Sequence, residues 1–301
     1  MRARLFNLLA CLLLGTALIP NAQAASLAQQ RQMYDEAKRA LAKNNPEPYR
    51  RYASALSDYP LEPYLAYDEL TARLKSASNA EIEKFLAEHG DLPQVGWMKL
   101  RWLRWLAERG EWSTFAEHYD PALNFTELDC LYGQYLFRSN LPAEARAQAQ
   151  KLWLVGKSQP EACDRLFSQW ELSGGLTDDL RWQRAKLAAE AGQYGLAGAL
   201  VRNTPSLLQP GKLLVEVAQK PQMLRQTATF VPASRQMADI VGLGLRRLAR
   251  QNPEQAIELL DVYGSRLQFS NEEKVAIARA IGLTLAKRFD SRALKVMAQY
   301  D

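Results

Sequence analysis

The chain has 301 residues, of which 48% are hydrophobic and 24% charged, with 38 Lys and Arg against 33 Asp and Glu for a formal net charge of +5. That hydrophobic fraction is normal for a globular chain and excludes disorder as the main state. The basic excess is mild and contains no Lys/Arg-dense stretch, which argues against nucleic acid as a partner and leaves an acidic polymer open.

At the amino terminus Arg2 and Arg4 precede an apolar stretch from Leu5 to Ile19, then Pro20 and the small-residue pattern Ala22-Gln23-Ala24. This is the pattern of a secretory signal peptide over residues 1–24, with the mature chain starting near Ala25. The apolar stretch falls short of the roughly 20 residues of a spanning helix, so no stable membrane insertion is expected. The alternative is a lipidation box at Leu8-Leu9-Ala10-Cys11, but the apolar segment runs on past Cys11 to the better cleavage pattern. Loss of Arg2 and Arg4 leaves 36 basic residues against 33 acidic ones, a charge of +3.

From Ser26 onward the hydrophobic pattern repeats at the helical period, with no convincing two-residue alternation, so the fold class is all-α. Helices are expected at Ser26 to Asn44, Pro46 to Ser57, Pro60 to Leu74, Asn79 to His89 and Val95 to Glu108. In the first, Leu27, Met33, Tyr34, Ala37 and Leu41 share a face. Most begin with Pro or with Ser, Thr or Asn, residues suited to a helix's first turn and cap. The strings Ala107-Glu108-Arg109-Gly110-Glu111-Trp112 and Ala189-Glu190-Ala191-Gly192-Gln193-Tyr194 place a glycine at a left-handed cap, with an aromatic two residues on to pack into the hairpin. Short-looped helix pairs of irregular period imply an α-superhelix, a solenoid of degenerate hairpins. Trp97, Trp102, Trp105 and Trp112 suggest sugar stacking, but their helical spacing favours core packing.

Cys130 and Cys163 are the cysteines left after the signal, and in an oxidising compartment they are expected to pair, two buried free thiols being the alternative. His89 and His118 lie far from either cysteine and lack ligand spacing, so no metal and no cofactor is expected. The sequence contains no phosphate-binding glycine loop, zincin helix or nucleophile elbow. Carboxylates such as Glu81, Glu83, Glu272 and Glu273 fall on helix faces or first turns expected to be solvated, without the environment that raises the pKa of a glycosidase acid. No catalytic residue is assigned.

The run DYPLEPYLAY from Asp58 to Tyr67, the run LWLVGKSQPEACDRLFSQW from Leu152 to Trp170, and Ser234-Arg235-Gln236-Met237-Ala238 resemble, in order, the amino-terminal helical domain of soluble lytic murein transglycosylases. The second run is the most specific, because an uncommon string surrounds Cys163. The resemblance implies a periplasmic enzyme that cleaves the MurNAc-GlcNAc bond of peptidoglycan to a 1,6-anhydro end. It also implies a helical part that curves into a U and joins a ring, and a lysozyme-like domain whose glutamate sits in a Glu-Ser dipeptide. No Glu-Ser dipeptide occurs here, and the sequence stops at Asp301 in a further helical pattern starting at Ser291. The expectation is therefore residues 25–301 as an incomplete superhelical domain without the catalytic domain, shaping a ring around glycan strands. The alternatives are a periplasmic scaffold recruiting cell-wall synthesis or division proteins, and an independent hydrolase.

Overall fold

A computed structural model describes residues 25–299. The signal peptide expected at 1–24, with its Cys11 alternative, lies outside the described residues. Among the described residues the regular structure is helical, sixteen α-helices joined by short turns and 3₁₀ segments. The chain divides into two compact units, with the division after Trp102.

The first unit holds α1 (Leu27–Leu41), α2 (Glu47–Tyr52), α3 (Glu62–Ala72), α4 (Asn79–His89) and the start of α5 (Val95–Arg109). Ser26 caps α1 in a capping box: Gln29 N donates to Ser26 Oγ at 3.4 Å and Ser26 N donates to Gln29 Oε1 at 2.8 Å. Ala37, Leu41, Leu56, Tyr59 and Leu65 form the core, with Met33, Tyr34, Tyr49 and Tyr52 against it. Four of the five residues expected on the buried face of α1 are thus in place, while Leu27, at the first helical position, is exposed. The expected helix at Pro46 to Ser57 is shorter, because α2 ends at Tyr52 and the chain tightens into a 3₁₀ turn at Ala53–Ala55. Glu69 is buried, and its oxygens accept from Arg73 Nε at 2.8 and 2.9 Å and from Arg50 Nη2 at 3.2 Å.

The second unit continues α5 and adds α6 (Trp112–His118), α7 (Thr126–Arg138), α8 (Pro142–Trp153), α9 (Ala162–Leu172), α10 (Asp178–Glu190), α11 (Tyr194–Val201) and α12 (Pro205–Gln219). After two 3₁₀ turns come α13 (Arg235–Gln251), α14 (Pro253–Gly264), α15 (Asn271–Lys287) and α16 (Arg292–Ala298). Helices pack on their next and next-but-one neighbours, α7 on α8 and α9, α10 on α11 and α12, α13 on α14 and α15. That is the contact pattern of a solenoid of hairpins, each pair burying its apolar face on the following one. Side chains of Thr177, Ser234, Asn252 and Ser270 cap α10, α13, α14 and α15. Proline occupies the first turn of α8, α12 and α14, where its missing N–H has no helical partner to lose.

The hairpin turns repeat one geometry. At Gly110 (φ 76°), Glu111 N donates to Leu106 O at 2.9 Å and Gly110 N to Ala107 O at 3.1 Å. At Gly192 (φ 76°), Gln193 N donates to Ala188 O at 2.8 Å and Gly192 N to Ala189 O at 3.1 Å. Both are Schellman caps, which satisfy two carbonyls the helix end leaves open. Tyr194 packs against the core of its stack, and both aromatics carry an arginine from a later helix: Arg138 of α7 lies 5.0 Å above the Trp112 ring and Arg247 of α13 lies 5.7 Å above Tyr194.

Cys130 of α7 and Cys163 of α9 are joined in a disulfide with Cα atoms 4.9 Å apart, fully buried among Ala149, Leu152, Trp153, Leu166, Phe167 and Trp170. The bond fastens α7 to the helix two places on, across α8. Core packing of the tryptophans holds in part. Trp102 is fully buried and its Nε1 donates to Asn79 Oδ1 at 3.1 Å, whereas Trp97 is 60% exposed. Five residues correspond to about 140° around a helix, so Trp97 and Trp102 face different sides of α5. Trp105 is half-buried, 5.8 Å beneath the Arg109 guanidinium.

Candidate ligand-binding groove

A groove of about 1060 Å³ lies between α10, α13, α15 and the segment leading into α15. It is built on three helices whose starts and facing sides are set locally. Met237 N donates to Ser234 Oγ at 3.1 Å at the start of α13, and Glu273 N donates to Ser270 Oγ at 3.2 Å at the start of α15, so both capping serines lie on the groove wall. Ser234 to Ala238, one of the runs that carried the family resemblance, thus forms a groove edge.

The floor is ionic and its charges are internally matched. Lys186 Nζ donates to Asp239 Oδ1 at 2.7 Å, and Trp182 Nε1 donates to Asp239 Oδ2 at the same distance, so both oxygens of that carboxylate are fixed. Arg246 bridges Glu190 and Glu273. Burial pulls the Arg246 guanidinium below the usual arginine range, against the opposing pull of Glu190 and Asp239. The close approach of α13 and α15 depends on Gly242, whose missing side chain is the space filled by the Glu273 carboxylate. Toward the rim, Arg235, Arg266, Gln268 and Glu272 are exposed, and Arg235 reaches Asp179 at 3.1 Å. The groove therefore combines charged groups held by ion pairs with an apolar wall that includes Phe269, a mixture that can meet both polar and apolar parts of a ligand.

Glu272 and Glu273 occupy the first turn of α15 as expected, but only Glu272 is solvated. Glu273 is turned into the groove floor because α13 presents a glycine opposite it, a relation between residues 31 positions apart that helical periodicity does not encode. Glu81 pairs with Arg73, whose hydrogen bonds hold its carboxyl below the usual range. His89 packs its ring 5.0 Å from Phe85. Among the described residues no group of three or more His, Cys, Asp or Glu could hold a metal ion. Sequence reasoning missed Lys186, Asp239 and Arg246 as one cluster. Each partner lies 27 to 56 residues from the next, and nothing local marks the pairs.

Comparison with known proteins finds soluble lytic transglycosylases. The soluble lytic murein transglycosylase of Escherichia coli K12 is 29% identical over 261 residues, covering 86% of this chain and 40% of the relative. That of Salmonella typhimurium is 30% identical over 264 residues with the same coverage. Among solved structures, an inactive mutant of the lytic transglycosylase Slt from Pseudomonas aeruginosa is 63% identical with a TM-score of 0.88, covering 90% of this chain and 44% of that one. The 70 kDa soluble lytic transglycosylase of Escherichia coli gives a TM-score of 0.70 at 26% identity, covering 92% and 45%, and was also solved in complex with bulgecin A. A profile described as Cucumovirus coat protein matches residues 138–220, a stretch that here runs from the end of α7 to the turn after α12. The chain spans 40% of the curated relatives it matches, and no helix of its described residues is long and apolar enough to cross a membrane. Over most of its length, the chain is homologous to an amino-terminal portion of the soluble lytic murein transglycosylases.

Proposed function

We propose that this chain is the amino-terminal helical part of a periplasmic lytic transglycosylase. Residues 1–24 direct export, and residues 25–301 contribute to a superhelical scaffold that holds glycan strands. The chemistry, cleavage of MurNAc-GlcNAc bonds to 1,6-anhydro products, belongs to a lysozyme-like domain carrying the single glutamate acid and base. The observation that carries this reading is the 63% identity over 90% of the chain to the Pseudomonas aeruginosa enzyme. The groove on α10, α13 and α15 supplies the surface: rim cations Arg235 and Arg266 for peptide-stem carboxylates, and a fixed ionic floor for sugar hydroxyls and amides.

The reading is tested by co-sedimenting the purified chain with purified sacculi while assaying the supernatant for muropeptides. The chain binds, and releases no 1,6-anhydro product. The double substitution Arg235→Ala/Arg266→Ala at the exposed rim lowers the bound fraction several-fold. Failure to bind sacculi, or release of product by this chain alone, refutes the division of labour.

A further inference from the structure

A second concavity of about 440 Å³ opens on the other hairpin stack, between α9, α10 and α11, and it contains a cation that the fold leaves under-used. Arg184 of α10 lines it and is only 4% exposed. Its Nη2 donates to Lys157 O at 3.3 Å, its Nε has no acceptor, and it makes no ion pair with any described residue. The guanidinium lies 4.3 Å from the Trp153 ring centroid and 5.4 Å from that of Phe167. Trp153 is itself fixed, its Nε1 donating to Leu180 O at 3.0 Å. Burial pulls the Arg184 group down to about 10, opposed only by Asp164, and at neutral pH it remains a cation. A desolvated guanidinium with spare donors favours a planar carboxylate, which it can bind through two parallel hydrogen bonds.

The other walls narrow the ligand further. Leu176, Leu196 and Leu200 line the mouth, with room for a small aliphatic side chain. Asp164 of α9 stands exposed on the rim, and its carboxylate takes no ion pair among the described residues. A lone anionic ligand would meet repulsion from Asp164, whereas a molecule that also carries an ammonium group would satisfy both charges.

We propose that this pocket binds the zwitterionic end of an amino acid or short peptide, its carboxylate on Arg184, its ammonium on Asp164, and its aliphatic side chain against the leucines. The site is separate from the groove on α13 and α15 and does not depend on its function. Because Asp164 and Phe167 ride on α9, the Cys130–Cys163 disulfide next to them holds one wall of the pocket in place.

Isothermal titration and saturation-transfer NMR of the purified chain with alanyl-alanine, its carboxyl amide and its N-acetyl form test the assignment. The free dipeptide binds saturably in the millimolar range or tighter, and each blocked form binds at least tenfold more weakly. Arg184→Gln and Asp164→Asn each weaken the dipeptide at least tenfold, with circular dichroism and melting temperature reporting on the fold. If Arg184→Gln does not fold, the exposed-rim variant Asp164→Asn and the two blocked ligands decide. Absence of saturable binding, equal binding of the amide or N-acetyl form, or unchanged affinity in Asp164→Asn overturns the proposal.

Discussion

Phe289 occupies a left-handed position, φ 58°, in the turn from α15 to α16, with its side chain 97% exposed. The turn is the same Schellman cap seen at Gly110 and Gly192: Asp290 N donates to Leu285 O and Phe289 N to Ala286 O, both at 3.0 Å. A side chain in that conformation crowds the following carbonyl at about 1–2 kcal/mol. An exposed ring recovers almost nothing by burial. Phe289→Gly removes the crowding, while the greater freedom of glycine in the unfolded chain takes back about 0.4–1 kcal/mol. The expected net is a stabilisation of about 0.5–1 kcal/mol, a rise in melting temperature of about 1–4 °C for a unit of this size. Differential scanning calorimetry measures it, with slower amide exchange in α16 as the local readout. Phe289→Ala is the control, since it removes the exposed ring but keeps the Cβ. A gain in Ala equal to that in Gly would assign the effect to the ring, and no gain in Gly would refute the strain argument.

Cys130 and Cys163 are 33 residues apart, and a cross-link closing a loop of that size is worth about 4 kcal/mol in the chain-entropy model. Cys130→Ser/Cys163→Ser is therefore expected to lower the urea midpoint strongly, and an unchanged midpoint would contradict the model. Arg246→Met leaves Glu273 in the groove floor without its cation and is expected to destabilise by about 1–3 kcal/mol, less than for a fully buried pair because the groove admits solvent. Adding Glu273→Gln restores part of that loss, measured by urea unfolding of the two variants, and simple additivity would count against a shared pair. Hydrogen bonds from Arg292 hold the Asp290 carboxyl down to about 2. A depressed folded value means a contribution to stability that is present above the unfolded carboxylate range, near 4, and lost as pH falls toward about 2. Carbon NMR titration of Asp290 should give that midpoint, and Arg292→Ala should return it toward the ordinary range.

Much of this protein was determined locally and was legible for that reason. Helix α4 runs from Asn79 to His89 as the pattern indicates, α5 ends one residue past Glu108, and α16 starts beside Ser291, because period, proline and cap residues act within one or two turns. Gly110 and Gly192 are legible as left-handed caps because only nearby backbone decides them. The run from Leu152 to Trp170, most specific for the family, is the packing shell of the disulfide. What only the tertiary structure decided are the matches between distant residues. Trp97 and Trp102 share a helix but not a face in contact with the core. Glu273 became a half-buried partner of Arg246 because Gly242, 31 residues earlier, leaves room for it. Arg184 became a desolvated cation because α8, α9 and α10 close around it. Periodicity reports which side of a helix is apolar, whereas ion pairs and pockets depend on which helix arrives opposite and at what distance, and that is set by the stacking of the whole solenoid.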